Sequence, residues 1–466
     1  MKERVLIANR GEIALRIMEA CENLGLDYVA VYTPGDEQSL HVRLPRAKGK
    51  KCFRISSYRD ANDLLAVADE AKCTAIHPGY GFFSEDFRFA RRVVKRKRSL
   101  IFIGPRWEVI KDLGHKLNVK KLAYELGIPV IPGTIHPVYN ELEAEAKAEE
   151  LFLWQEEMGL EPPRVLIKAA AGGGGMGIEE VDDLDMVRPV FRRIRAYAKR
   201  LFGDDGVVIE VCVRDYHHLE VQLLGNRFGE LVHFGTRNCT IQSIGRQKRI
   251  EIAPGFDPAY TEYPFDAEEV LSEIVAHSLK LAAHVGYDSV GTWEWLVTRD
   301  GKAYLMEVNT RIQVENEISA RISRIRGREP NLIEEQIRAA FGERLGFRQE
   351  DITFEGTSIE FRLIAEDTKK GFKPLSGVIH RFDFPDYEWL RVRTHVPRDE
   401  PYRIPTEFDP NLALGIVWGK DTFEAERRGR RFLDETVIEG ETAKGEPLIT
   451  NLGYLKEKLP EILKFL

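Results

Sequence analysis

Residues 1 to about 112 alternate short apolar runs with helix-like stretches, and this rhythm constrains the fold more than any other feature of the chain. Val5–Ala8 reads as a strand, Glu12–Leu24 has helical periodicity, and Tyr28–Tyr32 reads as a strand again. Later runs at Ala75–His77 and Leu100–Ile103 end in Pro-Gly-Tyr-Gly and Gly-Pro turns. Such βαβ alternation implies a parallel sheet. Ligands on such sheets sit at the carboxyl ends of the strands, so the turns after Ala8 and His77 are candidate site edges.

A second unit covers about 113–333. It opens with a helical stretch, Lys116–Leu126, and a Pro132-Gly133 turn. The Glu/Ala/Lys-rich Glu141–Met158 follows as an exposed amphipathic helix. A strand, Val165–Ala169, runs into the glycine tract Gly172–Gly177, and mixed strands continue to Tyr304–Val308. From about 334 the chain is rich in aromatics and proline, with antiparallel-looking strands and helices at Asp421–Glu435 and Tyr454–Leu463. A chain of 466 residues exceeds one hydrophobic core. With no repeat and no low-complexity linker, the three units are expected to pack as one body.

Composition removes several function classes. A net charge of −7 argues against a general nucleic-acid binder. Two basic runs stand out: Arg91, Arg92, Lys95, Arg96, Lys97 and Arg98, and Arg427, Arg428, Arg430 and Arg431. They read first as solvated helix faces and second as docking patches for an acidic partner. The five cysteines are widely spaced and form no C-x-x-C pair, which fits free thiols in a reducing compartment. Val5–Ala8 is too short for a signal-peptide core, and no apolar stretch approaches the roughly 20 residues of a membrane span. Cytoplasm is the default, with no membrane association.

Lys168-Ala-Ala-Ala-Gly172-Gly173-Gly174-Gly175-Met176-Gly177 follows a strand. Consecutive glycines let backbone N–H groups approach a polyphosphate without Cβ interference, and Lys168 adds a point charge. A flexible hairpin tip remains the alternative for the tract alone. Thr292–Leu296 and Tyr304–Asn309, joined by Arg299-Asp300-Gly301-Lys302, read as a β-hairpin. Period two puts Glu307 and Asn309 on one face, and pairing brings Glu294 within reach. These hard-oxygen groups suit Mg²⁺ bridging ATP phosphates. An acidic solvent face is the alternative, weakened by the apolar Trp295, Leu296, Leu305 and Met306 nearby. Next, Arg311, Gln313 and Glu315 alternate, so an extended segment would put them on one face. Arg311 can fork onto a planar oxyanion, Gln313 can orient it, and Glu315 can accept a proton; a charged loop is the other reading.

The strings ANRGEIALRI (Ala8–Ile17), HPGYGF (His77–Phe82), FIGP (Phe102–Pro105), K-x₃-GGGG (Lys168–Gly175), NTRIQVE (Asn309–Glu315) and AED (Ala365–Asp367) occur in this order. Together the chain closely resembles biotin carboxylases, the ATP-grasp subunits or domains of biotin-dependent carboxylases, from residue 3 to about 450. The resemblance implies a multidomain α/β and α+β fold. A Rossmann-like domain would cover 1–112 and an ATP-grasp domain 113–333, with a mobile lid at roughly 133–212. A mainly antiparallel β domain with helices would cover 334–466.

It also implies roles. Lys116 and Lys168 would contact the nucleotide phosphates, while Gly172, Gly173, Gly174 and Gly175 belong to the lid. Glu210 and Leu296 would line the adenine pocket, with His218 on the ribose or phosphate side and Gln242 also among the nucleotide-binding residues. Glu294 and Glu307 resemble the ligands of Mg²⁺ (or Mn²⁺), with Asn309 beside them. Lys248, Arg311, Gln313 and Val314 resemble the bicarbonate pocket, Glu315 the general base, and Arg362 the residue facing the biotin ureido oxygen. Glu315 would deprotonate bicarbonate as it attacks the γ-phosphorus of ATP, giving carboxyphosphate, then CO₂ and phosphate. That phosphate is the candidate base for the biotin N–H. None of the six methionines lies in an A-M-K-M-type context. Biotin is therefore expected on a separate biotin carboxyl carrier protein, and the carboxyl group is expected to pass to a carboxyltransferase subunit. By the same resemblance the chain is expected to form a homodimer, with Arg16 on the corresponding helix. The final acceptor, acetyl-CoA, another acyl-CoA, pyruvate or another small acid, is a property of the partner.

Departures mark a divergent branch. The family's Q-R-R-x-Q-K is replaced by Gln242-Ser243-Ile244-Gly245-Arg246-Gln247-Lys248, with one extra residue and one arginine. Arg246 is the candidate to take over phosphate contact. Met176 and Val211 stand where Arg and Lys are common, Asn316-Glu317 replaces His-Pro, Ser319-Ala320 replaces Thr-Glu, and Ile364 replaces Asn. Two other readings are carried: a different ATP-grasp ligase forming another acyl phosphate, and a non-catalytic scaffold protein retaining the fold.

Overall fold

The computed structural model describes residues 3–160, 162–170, 177–242, 247–408 and 411–465. The chain forms two compact units, one of residues 1–111, 219–293 and 309–466, the other of 112–218 and 294–308.

The first unit begins with a five-stranded parallel sheet in the order Cys52–Arg54, Asp27–Tyr32, Arg4–Ile7, Ala75–His77, Ile101–Phe102. Alternate residues feed two cores. Val5, Ile7 and Ala30 pack with Ile13 and Ile17 of helix Gly11–Asn23. Leu6, Val29 and Ile76 pack with Leu64, Leu65 and Phe89 on the other face. Both faces are covered, as a parallel sheet requires. Asp60 and Asp86 start helices Ala61–Glu70 and Phe87–Lys95 by accepting backbone N–H bonds. The strand order reverses between Arg4–Ile7 and Ala75–His77, a topological switch point. There Asn9 Nδ2 donates to the carbonyls of Pro78 (2.6 Å) and Tyr80 (2.7 Å), joining the two turns marked as site edges.

The rest of this unit is built on antiparallel strands in the order Tyr216–Gly225 (its 219–225 part), Leu231–Asn238, Ile250–Ala253, Thr357–Ile364, Asn411–Gly419, Leu390–Thr394. One sheet face, with Ile252, Ile359, Phe361 and Val417, packs on Phe432 and Leu459 of helices Thr422–Glu435 and Leu452–Phe465. A Cβ on Gly415 would lie 2.1 Å from Phe432 Cε1, so this close helix–sheet approach needs glycine. Of the basic run on Thr422–Glu435, Arg427, Arg430 and Arg431 form the solvated face expected, with Arg430 and Arg431 each paired to a glutamate one turn away, whereas Arg428 packs over Trp389 and Trp418.

The second unit holds a three-stranded antiparallel sheet, Ile178–Val181, Val165–Ala169, Val207–Val211. Helix Glu141–Glu157 buries the stripe Ala144, Ala148, Leu151, Gln155, one residue per turn. The same unit contains helix Lys116–Glu125 and the 294–308 part of the hairpin formed by Val290–Thr298 and Ala303–Asn309. The five cysteines are free thiols. Among the described residues no helix is long and apolar enough to cross a membrane.

Candidate active site

Glu315 lies where the segment leaving Asn309 enters helix Asn316–Ile322 of the first unit. Its Oε1 accepts from Lys248 Nζ at 2.7 Å and its Oε2 from Arg362 Nη2 at 3.1 Å. Burial alone would raise its pKa, but Lys248 and Arg362 outweigh burial and hold it well below the usual carboxylate range. Lys248 stands just ahead of strand Ile250–Ala253 and also contacts Glu220 Oε1. Arg362, on Thr357–Ile364, contacts Glu251 as well.

Behind these groups sits Arg237, fully buried on Leu231–Asn238 and opposite Glu220 in register. It donates to Glu220 (2.8 Å), Gln222 (2.7 Å), Ser319 (3.0 Å), Thr292 (3.2 Å) and Gln313 (2.6 Å). All its directions of donation are used, so Gln313 is fixed. Cys239 shares this neighbourhood, but burial pushes its thiol far up, so it stays a neutral thiol. Val314 packs its side chain with Ile318, Ile322, Leu414 and Ile416. Gln242 Nε2 donates to the Cys239 carbonyl, and Gln242 bridges to Lys248 through the backbone.

Arg311 departs from the expected common face. Its Nε donates to Glu85 Oε2 (2.9 Å), its Nη2 to Asn309 Oδ1 (3.0 Å), and Thr310 N to Glu85 Oε1 (3.1 Å). Glu85 thus clamps both residues, and the backbone leaves strand geometry after Asn309. Gln313 and Glu315 turn toward the Arg237–Lys248 group, while Arg311 stays with Glu85.

In the second unit the expected nucleotide residues form ion pairs. Lys168 Nζ contacts Glu210 Oε1, and Lys120 Nζ lies 3.5 Å from Glu210 Oε2. Burial would raise Glu210, but the two lysines lower it overall. Lys116 Nζ contacts Glu307 Oε2. His218 Nε2 lies 2.9 Å from Glu294 Oε2, both side chains under a tenth exposed. Leu296 is buried, as are Trp293 and Trp295, so the hairpin is no open acidic face. Gly172, Gly173, Gly174, Gly175, Met176 and Arg246 lie outside the described residues.

Sequence reasoning missed Glu85, Lys120, Glu220, Arg237 and Glu251. Glu220 and Gln222 did carry a signal, as polar residues alternating along an otherwise apolar strand.

Family descriptions match almost the whole chain: "Biotin carboxylase, N-terminal domain" over 1–110, "Carbamoyl-phosphate synthase L chain, ATP binding domain" over 115–348, and "Biotin carboxylase C-terminal domain" over 360–456. The chain belongs to the biotin carboxylase family. Biotin carboxylase 1, chloroplastic, of Populus trichocarpa is 37% identical over 442 residues, 94% of this chain and 78% of the relative. The 2-oxoglutarate carboxylase small subunit of Hydrogenobacter thermophilus is 35% identical over 461 residues, 98% of this chain and 91% of the relative. The crystal structure of the biotin carboxylase domain dimer of Hydrogenobacter thermophilus 2-oxoglutarate carboxylase, with MgADP, ADP and bicarbonate, superposes with TM-score 0.86 at 33% identity. The match covers 100% of this chain and 96% of that one. The expected fold class and the ATP-dependent ligase class both stand.

Proposed function

We propose that the chain uses ATP and bicarbonate to carboxylate biotin presented on a separate carrier protein, through carboxyphosphate. The observation that carries this reading is Glu315, ionised and held by Lys248 and Arg362 next to the fixed Gln313. In that state Glu315 is a weak base. An anion that draws Lys248 and Arg362 onto itself raises the basicity of Glu315 as the proton must be taken. Bicarbonate would sit against Lys248, Gln313 and the Val314 backbone, draw Arg311 from Glu85 toward itself, lose its proton to Glu315, and attack the γ-phosphorus of ATP. Arg362 would then face the ureido oxygen of biotin and stabilise the negative charge that develops there.

Lys116 and Lys168 are assigned to the ATP phosphates, Glu210 and Leu296 to the adenine, His218 to the ribose or phosphate side, and Gln242 to the nucleotide-binding set. The carboxylates Glu294 and Glu307 are hard-oxygen donors that fit Mg²⁺ or Mn²⁺, with Asn309 following on the same strand as Glu307. When bound, the ion would neutralise phosphate charge. The chain is divided at 1–112, 113–333 and 334–466; matches over 1–110 and 115–348 support the first boundary, while the second match runs past 333 and the third begins at 360. The proposed partners are a carrier protein, a second copy of this chain and a separate carboxyltransferase, and cytoplasm is the proposed location. The small-subunit name of the Hydrogenobacter relative and the dimer in the Hydrogenobacter structure support this assembly.

The test is bicarbonate-dependent ATP cleavage with free biotin. Glu315→Gln is expected to slow it by about 10²–10⁴. A variant near the wild-type rate removes Glu315 from the role of base.

A further inference from the structure

Glu251 and Glu360 face each other directly across the antiparallel strands Ile250–Ala253 and Thr357–Ile364. Both are fully buried, and none of their four carboxyl oxygens takes part in a well-formed hydrogen bond. Like charges placed opposite on neighbouring strands repel at a Cβ separation of roughly 5 Å. Their cation is Arg362, two residues beyond Glu360 on the same face: Nη2 contacts Glu251 Oε1, and Nε lies 3.8 Å from Glu360 Oε1. Opposite Arg362 and Glu360 the next strand supplies only Leu414 and Ile416. Helix Asn316–Ile322 adds Ile318 and Ile322 on this face.

Other charged groups reach the pair from three sides. Lys248 and Glu315 act on Glu251, and Glu315 and Arg16 on Glu360. Arg16, from helix Gly11–Asn23, is itself held by Glu12, Asn316 and Glu317. Cys239 is neutral. Among the described residues, four buried carboxyls, Glu220, Glu251, Glu315 and Glu360, therefore meet three cations, Arg237, Lys248 and Arg362. An uncompensated buried charge is costly, and a carboxyl resolves it by keeping its proton. Burial raises the pKa of both Glu251 and Glu360, with Arg362 opposing the rise.

We propose that Glu251 and Glu360 hold one proton between them and act as positioning residues for Arg362, so that bicarbonate enters a pocket already relieved of one negative charge. This rests on the assignment of Lys248, Glu315 and Arg362 to the bicarbonate and biotin site. When the shared proton leaves, both carboxylates draw on the Arg362 guanidinium, and less of its charge reaches a bound anion. Bicarbonate binding then weakens as pH rises.

The experiment follows the bicarbonate KM and kcat of ATP cleavage by the full chain, with free biotin, through the alkaline range in which bicarbonate stays the main carbonate species. Wild type should show a KM rising by up to about tenfold per pH unit, the limit for one linked proton. Glu251→Gln and Glu360→Gln should flatten that rise, because glutamine keeps the shape and carries no charge. The infrared band of a protonated carboxyl at neutral pH should weaken in either variant. An alkaline KM rise unchanged in both variants, or a carboxyl band unchanged in both, overturns the proposal. Should neither variant fold, a wild-type KM that is flat with pH overturns it, and one that rises supports it. A wild-type chain whose ATP cleavage ignores bicarbonate sinks instead the underlying site assignment.

Discussion

Lys248 and Lys116 are both assigned to anionic substrates, yet the protein holds them in opposite ways. Lys248 is 13% exposed and lies against Glu220 and Glu315, which are 0% and 2% exposed. Lys116 is 61% exposed, and its partner Glu307 28%. Charges in the first setting are desolvated, so moving any one of them leaves another stranded. Charges in the second are screened by water and salt and exchange partners at little cost. The contrast suits the substrates. A one-carbon oxyanion offers few atoms to organise a site and needs one built in advance. A triphosphate brings enough charge of its own to take a lysine from a carboxylate.

The strongest way to break this comparison is to remove the buried cation that holds Glu220, Gln222, Thr292, Gln313 and Ser319 together. Arg237→Met leaves buried Glu220 with Lys248 in place of two cations and frees Gln313. It should destabilise the first unit by about 3–5 kcal/mol, the cost of breaking a buried pair from one side. Denaturant unfolding of the full chain measures this. A loss below about 1 kcal/mol, typical of exposed pairs, would mean that the Arg237 cluster is no more preorganised than the lysines of the second unit.

The two regions also differed in how far they could be read before folding. Strand parity was legible: the N-terminal βαβ alternation, the buried hairpin and the helix at 141–157 all appear near their expected places. Glu315 stands in the distinctive string NTRIQVE and Glu294 on a plainly alternating strand, whereas Lys248 and Arg362 are assigned through the resemblance alone. The carboxylates around them could not be paired from sequence, because a partner across a sheet depends on register, and register is invisible to local pattern. Arg237 meets Glu220 only after the pairing shifts between His233 and Thr236. Glu251 meets Glu360 across a separation of more than a hundred residues. Arg311 leaves the alternation of Gln313 and Glu315 for a different reason. Period-two logic holds only while the chain stays extended, and the clamp by Glu85, from the N-terminal sheet's own turn region, ends that regularity at Thr310.

Acid titration sharpens the comparison. Glu317 stands in the first unit, where Arg16 and Arg393 reach its carboxylate. Burial opposes its ionisation, but Arg16 and Arg393 prevail and lower its pKa to about 2. A carboxylate with a depressed pKa stabilises the fold above its unfolded value and loses that contribution as pH falls toward the folded one. The loss between the ordinary carboxylate range and pH 2 should be on the order of 3 kcal/mol. Glu317→Gln should remove most of this slope in melting curves recorded against pH. An unchanged slope would place the acid sensitivity elsewhere.

The smallest effect is expected at Lys116, and there the two measurements should part. Lys116→Met removes an exposed ion pair, so folding stability should change by less than about 1 kcal/mol. Glu307 is over a quarter exposed and stays hydrated when its lysine is gone, so no stranded charge follows. The substrate side should not be so forgiving, since a phosphate loses a positive charge with nothing put in its place. The ATP KM is expected to rise by about tenfold, roughly the 1.4 kcal/mol of one charge-assisted contact, and the wild-type KM should itself climb with ionic strength. Equal losses in stability and in ATP affinity would erase the distinction between exchangeable and built-in cations, because Lys116 would then be doing for the second unit what Arg237 does for the first.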